Sequence, residues 1–269
     1  MKWLEKYFKA FGLGLQSAME YRANFIMSIL SSIFPMIIQI FLWIAVFKNS
    51  QSSVVYGYNY MQMLTYVVVA GIVSKLVATG VEWEISSDIK EGGLNKFITR
   101  PISYFSYRIS CFLRQKFLQL IIINIILGFI LIMMNIKLGL EIEPKRVGIF
   151  LISIFLALIL NLLLSLIISS FAFWITEAWA AFMILGLVVN VASGGVFPLD
   201  IFGQQAMRVL DLLPFKYIIY FPTNIINGKI SFTEVGFGIC IQCAWIIFMF
   251  IFSKIIWNVG MKKYIAIGG

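Results

Sequence analysis

Histidine is absent from the chain. Its absence removes the commonest metal ligand and the usual acid–base side chain at neutral pH, so neither a Ser/His/Asp triad nor an HExxH site can be assembled. Charge is scarce as well. Only 12% of residues are charged, against about 25% in a soluble domain. With so little polar surface the chain could not cover a water-facing particle, and its natural solvent is lipid. A phosphate-cradling GxxxxGK[ST] loop is also missing. Gly92 and Gly93 precede Lys96, but without the first glycine or the Ser/Thr, so no ATP site, catalytic residue or metal is expected on this chain. The three cysteines, Cys111, Cys240 and Cys243, make no disulfide framework. Cys240 and Cys243 have CxxC spacing but sit inside an apolar run, where they are expected as small lipid- or helix-facing residues.

What is present is apolar: 61% of residues, from end to end of the 269. The expectation is one membrane domain, 1–269, with no soluble module. Within 1–22, Lys2, Glu5, Lys6 and Lys9 fall on one side of a helix and Trp3, Phe8, Phe11 and Leu15 on the other. That moment predicts an interfacial helix, and the early charges exclude a signal peptide. Six spans are expected near 24–47, 60–79, 115–135, 148–174, 179–197 and 237–258, each with about the 20 residues needed to cross hydrocarbon. Pro35 predicts a kink in the first. With the N-terminus inside, the inner flanks hold 13 Lys and Arg and the outer flanks seven, so both termini are expected to be cytoplasmic in the cell membrane. Lys75, near the inner end of span two, can snorkel to the inner headgroups. The net charge of +9 is scattered between spans. It suits anionic lipid rather than nucleic acid, for which no basic, aromatic-interleaved block exists.

Two connections are long. Residues 80–114 form the expected cytoplasmic loop. Residues 198–236, rich in proline and apolar residues, are expected outside as a re-entrant segment of half-helices. None of the twelve acids falls mid-span, which argues against an ion-coupled carrier and for energy supplied by another chain. Two stripes of small residues, Ala70, Ser74 and Ala78 in span two and Gly186, Asn190 and Gly194 in span five, are expected as helix-packing or dimer-interface faces.

Three segments carry a resemblance: the N-terminal interfacial helix leading into span one; DIKEGGLNKFITRPISY, Asp88 to Tyr104; and SGGVFPLDIFGQQAMRVLDLLPFKYIIYFPTNIINGKIS, Ser193 to Ser231. Their order and spacing resemble the membrane subunits of ABC-2 type ABC transporters. The resemblance implies an all-α six-helix permease paired with a second permease, identical or paralogous. It also implies two copies of an ABC ATPase that carries ATP and Mg and drives outward movement of an amphipathic or lipid-like cargo. It places the ATPase-coupling segment at Ile89, Lys90, Glu91, Gly92, Gly93, Leu94, Phe97, Arg100 and Pro101. Leu94 and Phe97 are the expected anchors in a groove on the partner, with Glu91 and Arg100 at the rim. The alternative is a non-transporting membrane protein, an immunity or sensor component.

Overall fold

The computed structural model describes residues 22–98, 104–138, 143–175 and 178–264. The expected interfacial helix, Arg100, Pro101 and Glu177 lie outside the described residues.

Helix α1, Arg22–Asn49, carries Pro35 within it. A two-residue turn then joins β1 (Val54–Val55) to β2 (Tyr58–Asn59), with Val55 opposite Tyr58. Tyr56 and Gly57 both have positive φ, 51° and 76°, the geometry of a type I′ hairpin turn, which glycine adopts without strain. This hairpin departs from the all-α expectation. Its strands are too short to leave a period-2 pattern in the sequence. It serves as the lead into α2, Tyr60–Val77, because Asn59 caps that helix. The Asn59 side chain accepts from Gln62 N at 2.8 Å, and Gln62 Oε1 accepts from Asn59 N at 3.1 Å.

Helix α2 stops at Val77 because Ala78 leaves helical geometry and Gly80 takes φ +69°. The chain resumes at once as α3, Val81–Lys90, followed by the short α4, Asn95–Ile98. The expected loop 80–114 is therefore largely helical. Val81, Ile85 and Ile89, one turn apart, are buried and pack α3 against the bundle. Helix α5, Tyr104–Leu138, starts well before the expected span. Helix α6, Pro144–Ser170, opens with proline at its first turn, where no amide hydrogen is needed. It continues as a 3-10 turn, Phe171–Phe173, and α7 is Ala178–Ala192. Beyond it come a 3-10 turn at Leu199–Phe202, α8 (Gly203–Asp211), a second at Phe215–Tyr217, and α9 (Tyr220–Ile226). All seven residues of α9 are buried and none of α8 is. Helix α10, Phe232–Met261, begins with a Ser231–Glu234 capping box.

Three stretches are long and apolar enough to cross a membrane, Tyr60–Lys90, Pro144–Phe173 and Phe232–Met261, and shorter apolar helices cover Ile33–Asn49, Gln119–Ile130 and Trp179–Ala192. Helix α6 is central, packing on α2, α3, α9 and α10. The polar side chains where α10 crosses it are matched. Gln242 of α10, fully buried, donates to Ser153 O at 3.2 Å and to Tyr217 O at 2.8 Å, and accepts from Ser153 Oγ at 3.1 Å. An apolar surround makes such matching necessary, because water is not there to replace a missing partner.

Candidate functional site: a cleft between two polar hubs

One face of α2 carries Val67, Gly71, Ser74, Lys75 and Ala78; one face of α7 carries Phe182, Gly186, Val189, Asn190 and Ser193 from just beyond its end. Together with Pro35, Met36 and Gln39 of α1 and Asn161, Leu164, Ser165 and Ile168 of α6 they line a cleft of about 610 Å³. Spacings of three and four residues put each set on one side of its helix. Four of the six small residues singled out in the sequence, Ser74, Ala78, Gly186 and Asn190, border this space. Gly186 has nothing within 4 Å of where a Cβ would stand. The α7 stripe therefore does not bring two backbones together within the chain as expected; at Gly186 it leaves room. Ala70 is buried beside the cleft. Gly194 lies at its end, where φ is +81° and a Cβ would come within 2.6 Å of Tyr66 Oη; only glycine fits this position.

The cleft's Asp200 end is closed by a buried polar hub. Asp200 accepts from Tyr58 Oη at 2.8 Å and Tyr220 Oη at 2.9 Å, and Lys229 Nζ stands 2.8 Å from its other oxygen. The Lys229 ammonium also lies 3.4 Å above the Tyr58 ring, a cation–π contact. Tyr66 Oη donates to Gly194 O at 2.7 Å, and Tyr220 N to Ser193 O at 2.8 Å. Burial pushes the Tyr58 phenol well above its ordinary range, and the neighbouring Tyr220 and Asp200 add to the shift; it stays protonated as a donor. Burial lowers the Lys229 ammonium, and Asp200 offsets part of that.

A second hub stands farther along α3, beyond the part of that helix that borders the cleft. Asp88 of α3 accepts from Tyr104 Oη at 2.7 Å and Arg108 Nε at 2.9 Å, and Arg108 Nη1 reaches Glu84 Oε2 at 2.5 Å. Tyr104 stacks on Trp257 at 5.1 Å, and Tyr264 Oη donates to Asn95 Oδ1 at 2.9 Å, so α3, α4, α5 and α10 meet here. Gly92 has φ +76°. A Cβ on Gly93 would fall 2.5 Å from Asp88 Oδ1 and 3.0 Å from Asp88 Cα, so the paired glycines let the turn fold back onto the hub.

The expected coupling residues divide accordingly. Ile89 is 5% and Leu94 2% exposed, and both are committed to the chain's own core. Phe97 is half-buried against Tyr104 (5.1 Å) and Tyr107 (4.9 Å). Leu94 is thus packed in the chain's own core, while Phe97 keeps part of its surface open. Leu94 N bonds to Asp88 O at 3.2 Å, which turns the apolar pair inward. Lys90 is half-buried; Glu91 and Lys96 are exposed. Sequence reasoning missed Arg108, Tyr104, Tyr58 and Lys229. The only sequence trace of the Asp88 hub was Glu84 and Asp88, one helical turn apart.

Lys116 of α5 and Asn161 of α6 cap the end of α2. Lys116 Nζ donates to Lys75 O at 3.0 Å and Leu76 O at 3.4 Å, Asn161 Nδ2 to Val77 O at 2.8 Å, and Ala78 N to Ser74 O at 3.0 Å. The last four carbonyls of α2, which no intrahelical amide can reach, all have partners. Across the break, Thr79 Oγ1 pairs with Ser165 Oγ at 2.6 Å and with Glu82 at 3.2 Å.

A bundle of apolar helices bordering a largely apolar cleft with a few polar groups is the architecture of a polytopic membrane protein. The chain belongs to the ABC-2 family transporter proteins, a match that covers residues 33–268, and it is a multi-pass membrane permease of the ABC exporter class. No curated protein and no solved structure matches it.

Proposed function

We propose that this chain is one membrane half of an ATP-driven exporter, with α1, α2, α5, α6, α7 and α10 crossing the bilayer and both ends of the chain in the cytoplasm. The Asp88 hub then faces the cytoplasm. The Asp200 hub and 198–236 face outward, with the buried α9 as the re-entrant part of that segment. Two such permeases, identical or paralogous, pair in the cell membrane. Two ATPase subunits, which carry the ATP and Mg, dock on the α3–α4 knuckle through the exposed Glu91 and Lys96 together with Arg100 and Pro101. Lys90 to Pro101 is the coupling segment, with Ile89, Leu94 and Phe97 stiffening it from within.

The observation that carries this reading is the cleft. It is about 610 Å³ and extends past the break between α2 and α3 to Thr79, Gly80 and Glu82, so a movement of α3 acts directly on its wall. An apolar lining with several polar stations suits an amphipathic or lipid-like cargo.

The test is purification from native membranes with identification of every chain that accompanies this one. An ATPase with a phosphate-cradling loop is expected, together with ATP hydrolysis that disappears when this chain is purified alone. Recovery without any nucleotide-binding partner would favour an immunity or sensor component instead.

A further inference from the structure

Lys75 is the one lysine that lines the cleft, and its ammonium makes no hydrogen bond or ion pair among the described residues. The ordinary role for a lysine in the last turn of a helix is to hold the terminal carbonyls and the negative end of the dipole. Here that role is already filled. Lys116, Asn161 and Ala78 N take all four carbonyls. Lys75 is half-buried and lines the cleft.

A second ammonium, Lys116, also stands at this end, spent on the α2 carbonyls; the acidic group here is Glu82, and its carboxylate has local compensation. It accepts from Thr79 Oγ1 at 3.2 Å and stands in the first turn of the ten-residue α3, where the helix end is positive. The carboxylate is therefore balanced and the ammonium is not. An unbalanced ammonium in a largely apolar space is costly unless an anion joins it.

Farther along the cleft, Ser193 Oγ is fully buried and has no partner. The side chains of Gln39 and Asn190 likewise make no hydrogen bond among the described residues. From Lys75 toward Ser193 the wall between these stations is apolar, formed by Met36, Val67, Leu164 and Val189.

We propose that the cleft binds an amphipathic anion, a phosphate or carboxylate head on an alkyl chain, with the head at Lys75 and the chain along the apolar wall toward Ser193. The proposal rests on the transport reading and names the class of its cargo. The head supplies Lys75 with a counter-charge, and the chain takes the place of water against the wall. Polar groups on the cargo beyond the chain would meet Asn190 and Ser193.

The test is equilibrium binding to the full chain in phosphatidylcholine nanodiscs, with empty nanodiscs as background and three probes: dodecyl phosphate, dodecyltrimethylammonium and inorganic phosphate. Dodecyl phosphate is expected to bind and the other two are not. Lys75→Gln should weaken dodecyl phosphate about ten-fold or more, because a charge-assisted contact in a partly dry site is lost, while Lys75→Arg stays within about three-fold. Glu82→Gln should bind at least as tightly as the unaltered chain. Should Lys75→Gln fail to fold, Gly186→Leu serves instead, since it points a side chain into open space and should abolish binding by filling the cleft. Equal binding of the cationic and anionic probes, unchanged affinity in Lys75→Gln, or inorganic phosphate binding as tightly as dodecyl phosphate would each overturn the proposal. No ATPase is needed for this assay. Its failure leaves the permease reading standing, and that reading is decided by the co-purification.

Discussion

Asp200 and Asp88 each gather a cation and at least one tyrosine hydroxyl, yet they join very different stretches of chain. The Asp200 hub reaches across 142 residues to Tyr58 and also draws in Tyr220 and Lys229. It fastens the hairpin before α2 to the segment after α7. The Asp88 hub is local: Arg108 is 20 residues from Asp88 and 24 from Glu84. Its ion pairs brace α3 and the start of α5 into one knuckle, which Tyr104 also fastens to Trp257 of α10. The first hub ties distant loops together; the second stiffens the turn after α3.

Breaking the first should therefore cost the most. Asp200→Ala strands a lysine and two phenols, and is expected to destabilise the protein by about 3 kcal/mol, since a buried ion left without its partner keeps its desolvation cost. Thermal unfolding of the purified protein measures it, and a fall in midpoint no larger than that of a surface variant would deny the fastening role. Next comes Leu94→Ala. With Leu94 in the chain's own core, the expected loss is about 2–3 kcal/mol of fold stability; a variant that detached a partner without lowering the unfolding midpoint would restore Leu94 as a docking anchor. Arg108→Ala should be milder for the fold, about 1–2 kcal/mol, because one of its carboxylates is well exposed and regains water. The sharper expectation is that partner ATPase and transport lose their coupling in Arg108→Ala while the chain still folds, whereas Asp200→Ala loses both together. The smallest effect is at the α10 cap. Ser231→Ala should cost about 1 kcal/mol. Thermal unfolding of Ser231→Ala shows it, and an unchanged midpoint would deny the cap a stabilising role.

The helices expected to cross the membrane were legible because lipid demands apolar length, and that demand is written locally in the sequence. Helix α3 was not read: its density of charge pointed to a loop, and the one-turn spacing of Val81, Ile85 and Ile89 was overlooked. The small-residue stripes were found by spacing, and the cleft they border was not. Spacing shows which residues share a face and says nothing of whether the opposite helix is near. The hubs were hidden because each needs partners from segments far apart in the chain, and a lone tyrosine or lysine carries no local mark of them. The burial of Leu94 was hidden for a related reason. An apolar residue among charges looks the same whether it waits for a partner or turns back under its own glycine pair, as Leu94 does after Gly92 and Gly93.

If an ATPase docks on the α3–α4 knuckle, ATP bound there should move the wall of the cleft. One cysteine at position 186, on a background lacking Cys111, Cys240 and Cys243, reports this through its modification rate in the complex reconstituted with its ATPase. The rate is expected to change several-fold when ATP is added and to return once it is hydrolysed. The same rate with and without ATP, in a complex that hydrolyses ATP, would contradict it.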